Sequence, residues 1–360
     1  MSARLVISRE AVEQNFRTVL HRAGQAKVWW VLKGNAYGMG LEPTARALSE
    51  WGADRFAVTE PEEAETLRRA GAAGEILLLR STVLEEELAC ALRAGATVTV
   101  GSREAALAAE AVAAREGAIL PVQAEFDVGM GRGGFAPEAA GEIPAMLAEC
   151  PHLRLTGIYA HPNRAFAEEK YTREALARLQ SAGEAMAGAG LAPGEMHLCD
   201  SVALFRFPWA RLDAVRVGSA LTGGLLAGDR SGLARVARAE CAVSKVHTLA
   251  PGQSAGYGFG FTAKKPIRVA VVPMGYADGA FDRREKDTRR LKDRLVALRG
   301  LVKGRAMAVE IGGEACPVVG YVGMKHLLCD VTGRTVAPGD VARIPVDPVL
   351  AGQILTPEWE

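Results

Sequence analysis

Aromatic residues are scarce in this chain of 360 residues, at 6%, and charge of either sign is nearly cancelled: 43 lysines and arginines face 42 aspartates and glutamates, for a formal net charge of +1. Such a balance raises no field that would gather nucleic acid or an acidic membrane surface. No stretch interleaves basic with aromatic residues in the manner of a strand-binding groove. Neither nucleic acid nor a membrane is therefore expected as a partner. The six cysteines (Cys90, Cys150, Cys199, Cys241, Cys316, Cys329) are scattered, and none stands in a C-x-x-C pair. That spacing excludes the usual zinc ribbon or disulfide framework and makes them small buried residues, so no metal site is expected. Long apolar runs able to span a bilayer are missing too. Met1-Ser2-Ala3-Arg4 runs straight into Leu5-Val6-Ile7 with no secretion core. A reducing cytoplasm is the expected compartment. What remains, 49% hydrophobic and 24% charged, is the composition of a globular chain long enough for one large domain and a smaller one.

One stretch stands out. Val28-Trp29-Trp30-Val31-Leu32 reads as a buried strand, Lys33 closes it, and Gly34-Asn35-Ala36-Tyr37-Gly38-Met39-Gly40 forces a turn. A lysine presented at a strand's carboxyl end, if desolvated, gives up its proton more easily and can form a Schiff base. An isolated lysine there is more often one that snorkels to solvent; the neighbouring tyrosine and glycines shift the balance.

From residue 10 to about 225, short apolar strands alternate with amphipathic helices. Strands are expected at Arg55 to Val58, Ile76 to Arg80, Thr97 to Val100, Leu120 to Asp127, Leu155 to His161, Met196 to Cys199 and Ala214 to Val217. Helices fall between them, among them Thr44 to Trp51 behind Pro43, Glu60 to Ala70, Arg103 to Arg115 and Phe166 to Ala189. With the lysine strand this makes eight βα units, which favours a closed (β/α)8 TIM-like barrel over residues 9–232 above an open doubly wound sheet. Beyond it, glycine and proline punctuate Ala242 to Leu249, Ile267 to Pro273, Leu295 to Leu301, Ala306 to Ile311, Ala315 to Val322 and Val341 to Ile344. Residues 233–360 are expected to form a mainly β C-terminal domain, joined by the N-terminal strand within 1–8. Asp282 to Arg294, rich in both charges, reads as a solvated helix or loop.

Asp127, Arg132, His161, Ser201 and Arg216 all fall at or just after expected strand ends, and with Lys33 they would ring one barrel mouth. Gly129-Met130-Gly131-Arg132-Gly133-Gly134 fits G-x-G-x-x-G on paper, but it follows the fifth strand and holds an arginine, which suits a carboxylate or phosphate instead. Ser201 could cap its helix or, at a helix N-terminus, bind phosphate. Arg216-Val217-Gly218-Ser219 offers a second phosphate-sized turn, and phosphate sites near strands seven and eight are frequent in this barrel.

The order and spacing of Val31-Leu32-Lys33-Gly34-Asn35-Ala36-Tyr37-Gly38, Phe126 to Arg132, Asp200-Ser201, Arg216-Val217-Gly218, Gly256-Tyr257-Gly258 and Gly275-Tyr276-Ala277-Asp278-Gly279 resemble the alanine racemase family of fold-type III pyridoxal-phosphate enzymes over nearly the full chain. The resemblance implies a homodimer with shared active sites, and pyridoxal 5'-phosphate as cofactor. Lys33 would carry it as a Schiff base. Tyr37, Ser201, Gly218 and Ser219 would surround its phosphate, with Tyr276 at the approach. Arg216 would face its pyridine nitrogen, which a guanidinium does not readily protonate. Lys33 and Tyr257 of the partner subunit would be the two bases on opposite faces of the substrate Cα. A tyrosine ordinarily titrates near pH 10, so His161 and then Arg216 would stabilise its phenolate. Arg132 and Met324 would meet the substrate.

The chain also departs from the family. Glu125 stands where a carboxylated lysine often holds the substrate arginine, and Gly323-Met324-Lys325 replaces Cys-Met-Asp, so an acid has become a base. The tail, Asp347 to Glu360, lacks the family's tyrosine motif. Racemisation of alanine is the expected activity. The alternatives are another amino acid (serine, acidic or basic) and a non-catalytic cofactor-binding relative.

Overall fold

The structure, a computed structural model, describes residues 3–165, 168–224, 232–256, 260–281 and 307–360. They form two compact units, one of Arg9–Arg235 and one of Met1–Ser8 with Val236–Glu360. The seam lies three residues beyond the expected 232/233 boundary. Asn15 explains the difference: it donates to the carbonyls of Leu221 and Ala234 (both 2.9 Å) and accepts the Ala234 N–H (2.7 Å), which ties residue 234 into the first unit.

That first unit is the expected barrel. Its strands β2 (Lys27–Val31), β3 (Arg55–Val58), β4 (Glu75–Leu78), β5 (Thr97–Val100), β6 (Leu120–Phe126), β7 (Leu153–Ala160), β8 (Glu195–His197) and β9 (Ala214–Val217) pair in parallel in sequence order. Closure is made by β9 against β2, with Trp29 opposite Arg216. β2 is buried from Val28 to Val31 because a parallel strand is covered on both faces. The helices α1 (Arg9–Ala23), α3 (Leu41–Glu50), α4 (Pro61–Arg69), α5 (Glu85–Arg93), α6 (Arg103–Arg115), α7 (Ile143–Ala148), α8 (Glu169–Gly188) and α9 (Ser201–Arg206) lie between the strands in the chain, and a short turn α2 (Lys33–Tyr37) follows β2. α1 shows the logic of their inner faces. Val12, Phe16 and Val19 recur at helical spacing, and Phe16 stacks on Trp30 at 4.5 Å. α3 begins at Leu41, ahead of Pro43, because a proline fits anywhere in a first turn whose N–H groups have no carbonyl partner. Between β6 and β7 a 3-10 turn (Pro137–Glu142) leads directly into α7.

The second unit is a nine-stranded sheet in the order β11-β12-β15-β14-β13-β16-β10-β1-β17, built from β1 (Arg4–Ile7), β10 (Ala237–Ala242), β11 (Lys245–Leu249), β12 (Ile267–Val272), β13 (Ala308–Ile311), β14 (Glu314–Val319), β15 (Leu327–Asp330), β16 (Val341–Pro345) and β17 (Pro357–Trp359), with α10 (Pro348–Ala351) beside it. β1 does return to this unit, antiparallel to β10 and parallel to β17. The run expected as one strand from Ala242 to Leu249 is split. Val243 donates to Asp340 and Ser244 to Val271, so the chain changes partners there, with β10 running against β16 and β11 against β12. No strand is expected from the sequence at β15 or β17, nor over residues 237–241 of β10. The expected strand at Leu295 to Leu301 and the charged stretch Asp282 to Arg294 lie outside the described residues. Among the described residues, no helix is long and apolar enough to cross a membrane.

Candidate active site

Because the barrel strands are parallel, the segments that follow them emerge at one end. The most unusual of these segments follows β2. Gly34, Asn35 and Ala36 sit at φ between 53° and 63° and ψ near 50°, and Tyr37 at φ 55°. α2 is thus a left-handed turn, closed by Ala36 N–H donating to Leu32 (2.7 Å) and Gly38 N–H to Gly34 (3.1 Å). Residues with a Cβ pay about 1–2 kcal/mol each for this conformation. The turn reverses the chain within a few residues and leaves Lys33 half-buried at its head. Burial, and then the positive charges of Arg132 and Arg216, lower the Lys33 pKa, while Glu63 opposes them. The amine is therefore closer to a free base than a surface lysine.

Tyr37 leans from the turn onto the strand at the other side of the closure. A Cβ on Gly218 would stand 2.4 Å from its ring, so glycine is what lets the phenol lie there. Beneath it, Ser201 Oγ accepts the N–H groups of Gly218 (3.2 Å) and Ala220 (3.3 Å). Ser201 does not cap α9. That role falls to Asp200, which accepts the Ala203 N–H at 2.7 Å. Tyr37, Ser201, Gly218 and the 3-10 turn opened by Ser219 form a small polar cradle rich in N–H and O–H groups.

Arg216 is the penultimate residue of β9, buried inside the barrel. Its Nη1 donates to His197 Nδ1 (2.6 Å) and its Nη2 to the Ala160 carbonyl (2.7 Å); His161 Nδ1 lies at 3.5 Å from Nη2. A guanidinium only donates. His197 therefore accepts at Nδ1 and uses Nε2–H to donate to Gln123 Oε1 at 2.8 Å. The imidazole stacks on Tyr159 at 5.0 Å, and the Arg216 guanidinium sits 4.7 Å over the same ring. Burial first, then Arg216, Arg132 and Lys33, pull His161 down to about 3, so it is neutral at pH 7. Burial and Arg216 likewise hold His197 well below its ordinary value. His197, Gln123 and Tyr159 were missed in the sequence. The available signal was a polar residue placed between apolar neighbours on each of three adjacent barrel strands.

The glycine loop after β6 winds round Asp127, whose carboxylate accepts the N–H groups of Gly129 and Met130 (2.8 Å each) and Gly131 (2.9 Å). Burial works against the ionised form, but these bonds win and hold Asp127 below the usual carboxylate range. A long helix does not open from this loop, which ends the dinucleotide reading; Phe135 instead folds back to pair with β6. Arg132 projects from it, 60% exposed, with Nη2 3.5 Å from Glu125 Oε1. Burial raises the Glu125 pKa, and Arg132 and then Arg216 oppose the shift. Lys33, Tyr37, Arg132, His161, Ser201, Arg216, Gly218 and Ser219 thus all belong to the barrel unit. Met324 belongs to the β unit, exposed on a turn whose carbonyls accept the N–H groups of Tyr276 and Ala277. Beside it Lys325 is paired with the buried Asp278. Tyr257 lies outside the described residues. Among the described residues no cluster suits a metal ion.

The residues also fit a phosphorylated pyridine aldehyde: an amine with a destabilised proton, a cradle that a single Cβ would fill, and a buried guanidinium that cannot act as an acid. Comparisons with known proteins identify the family. The profile of the family "Alanine racemase, N-terminal domain" matches residues 7–225, and that of "Alanine racemase, C-terminal domain" matches residues 236–353. An alanine racemase of Symbiobacterium thermophilum is 33% identical over 327 residues, covering 89% of this chain and 81% of its own length. A broad specificity amino-acid racemase of Pseudomonas putida is 31% identical over 333 residues, covering 91% and 76%. The crystal structure of alanine racemase from a D-cycloserine-producing Streptomyces lavendulae superposes with a TM-score of 0.83 at 25% identity, covering 99% of this chain and 97% of that one. With the first profile ending in the barrel unit and the second beginning where the β unit resumes, the chain belongs over nearly its whole length to the alanine racemase family, and it is an amino-acid racemase of the isomerase class.

Proposed function

We propose that this racemase interconverts the enantiomers of alanine with pyridoxal 5'-phosphate, as a homodimer in the cytoplasm. The observation that carries the reading is Lys33: a half-buried amine, its proton disfavoured by burial and two arginines, beside the cradle of Tyr37, Ser201 and Gly218. Lys33 would hold the cofactor, Tyr37, Ser201, Gly218 and Ser219 its phosphate, and Arg216 would face its pyridine nitrogen. The cofactor, when bound, supplies an electron sink that acidifies the substrate Cα–H.

The rest is done by side chains. Arg132 binds the substrate carboxylate, and Glu125 steadies it as an anionic partner. Lys33 Nζ takes or returns the α-proton on one face, and the phenolic oxygen of Tyr257 of the partner subunit does so on the other; inversion needs both. Neutral His161, next to Arg216, shares the hydrogen-bond network that supports the phenolate. Because Arg216 stays charged and keeps its protons, the sink is weak, which limits proton return to sites other than Cα. Six free, buried cysteines support a reducing compartment.

Lys325 bears on substrate choice. Its ammonium is paired with Asp278, and this supports a small apolar substrate beside Met324 over an acidic one. Deuterium wash-in at Cα, measured over L- and D-amino acids including alanine, serine, aspartate, glutamate and lysine, tests the reading. Exchange fastest with alanine is expected. Exchange with none of them, from a yellow protein, would leave a cofactor binder without turnover. Borohydride reduction should fix the cofactor on Lys33, and a label mapped to another residue would remove the lysine from its role.

A further inference from the structure

One carboxylate reaches the lysine turn from a neighbouring helix. Glu63 lies in the first turn of α4. Its Oε2 accepts the N–H groups of Thr59 (3.1 Å) and Glu60 (3.2 Å), which is the ordinary work of a capping box. Its Oε1 does something no cap requires: it accepts the N–H of Gly34, directly after Lys33, at 2.9 Å. One side chain therefore joins the end of β3, the start of α4 and the left-handed turn after β2. The pin sits at the head of a run of positive φ angles that includes Ala36 and Tyr37, so the strained turn is held where it would first relax.

We propose that Glu63 is the positioning residue for Lys33: by holding the Gly34 amide it keeps the left-handed turn closed and the amine at the barrel mouth. This deepens the reading of Lys33 as the cofactor lysine and rests on it. The electrostatics run the same way. Among the described residues, Arg132, Arg216, His161 and Glu63 are the charged or titratable groups coupled to Lys33, and of these Glu63 favours its ammonium.

The test uses the full chain without cofactor, as natural protein, Glu63→Gln and Glu63→Ala. Glutamine keeps the size but turns an N–H group toward donors; alanine removes both acceptors. Amide hydrogen exchange over residues 33–40 should quicken at least tenfold in Glu63→Gln, with β5 and β6 within twofold of the natural chain. Labelling of Lys33 by pyridoxal 5'-phosphate and borohydride should slow at least tenfold on its high-pH plateau. Its pH midpoint should move down, since no anion then opposes the two arginines. Exchange that is unchanged over 33–40, or raised equally through the barrel, would overturn the proposal. So would a loosened turn with the labelling rate and midpoint untouched. If alanine prevents folding, glutamine decides; if both do, the role is general stability and the proposal fails. Absence of label on Lys33 in the natural chain would instead refute the proposed function, and the exchange data would still decide whether Glu63 holds the turn.

Discussion

Gly218→Ala isolates the contact that joins the phosphate cradle to the lysine turn. Gly218 has a negative φ of −132°, so left-handed strain does not enter. The new Cβ would stand 2.4 Å from Tyr37 Cε2, 2.5 Å from its hydroxyl and 2.6 Å from Cζ. Carbon atoms rest about 3.5–4.0 Å apart, so the ring must shift by about 1 Å or more. It is poorly placed to do so, being part of the left-handed turn and packed on Trp29, Val31, Ala57, Leu77 and Ala214. Overpacking of this kind costs about 1–3 kcal/mol. At about 2–4 °C per kcal/mol for a domain of the barrel's size, its unfolding midpoint should fall by roughly 2–12 °C. Four of the five tryptophans lie in the barrel unit and Trp359 in the β unit, so tryptophan fluorescence reports mainly the barrel transition, which matters because a chain of two units need not unfold in one step. Cofactor affinity should fall at least tenfold, because the displaced phenol belongs to the proposed phosphate site. Tyr37→Ala deletes all three clashing atoms, so adding Gly218→Ala to it should cost under about 0.5 kcal/mol, a coupling of at least about 0.5 kcal/mol. Additivity of the two changes would refute the close approach and, with it, the cradle.

Two further outcomes follow. Tyr257→Phe should cut α-proton exchange by about 100-fold or more, the usual worth of a general acid–base group, while cofactor affinity stays within about threefold; unchanged exchange would remove the tyrosine from the mechanism. In the β unit, Glu240 takes hydrogen bonds from Arg4 (2.8 Å), Arg238 (2.8 Å) and Arg343 (3.1 Å). Burial works against ionisation, but the bonds from Arg238, Arg4 and Arg343 prevail and hold its pKa at about 2. A depressed carboxylate contributes stability above its unfolded value of about 4.5 and loses it as pH falls toward 2. The three arginines are 30–45% exposed and stay solvated when the carboxylate is removed, so Glu240→Gln should destabilise the β unit by about 2–3 kcal/mol at pH 7. Denaturant titration should show the gap closing between about pH 4.5 and 2, and a pH-independent gap would refute the ionic origin.

Some of this molecule was plain in its residues. Arg55 to Val58, Thr97 to Val100, Arg103 to Arg115 and Ala214 to Val217 appear with the expected bounds. In these segments apolar period and turn residues agree, and neighbours in the chain suffice. Where a strand changes partner the pattern is blind. Nothing in Ala242-Val243-Ser244-Lys245 announces that β10 ends against β16 and β11 begins against β12. The candidate site divides the same way. Lys33, Ser201 and Arg216 drew notice by residue type and by place in the strand pattern. His197 stayed hidden because it matters only through what neighbouring strands bring to it: a guanidinium on β9, an amide on β6, a ring on β7.

Alternation of strand and helix was enough to call for a closed parallel barrel and a β unit after it, since hydrophobic period is a local property and is written along the chain. The motif order was enough to name the family. Folding in three dimensions alone settled the hand of the turn that bears Lys33, the ring of Tyr37 over Gly218, and the pairing of Lys325 with Asp278. Each of these depends on atoms brought within a few ångströms from distant stretches of chain, and such distances are a property of packing that no local pattern encodes.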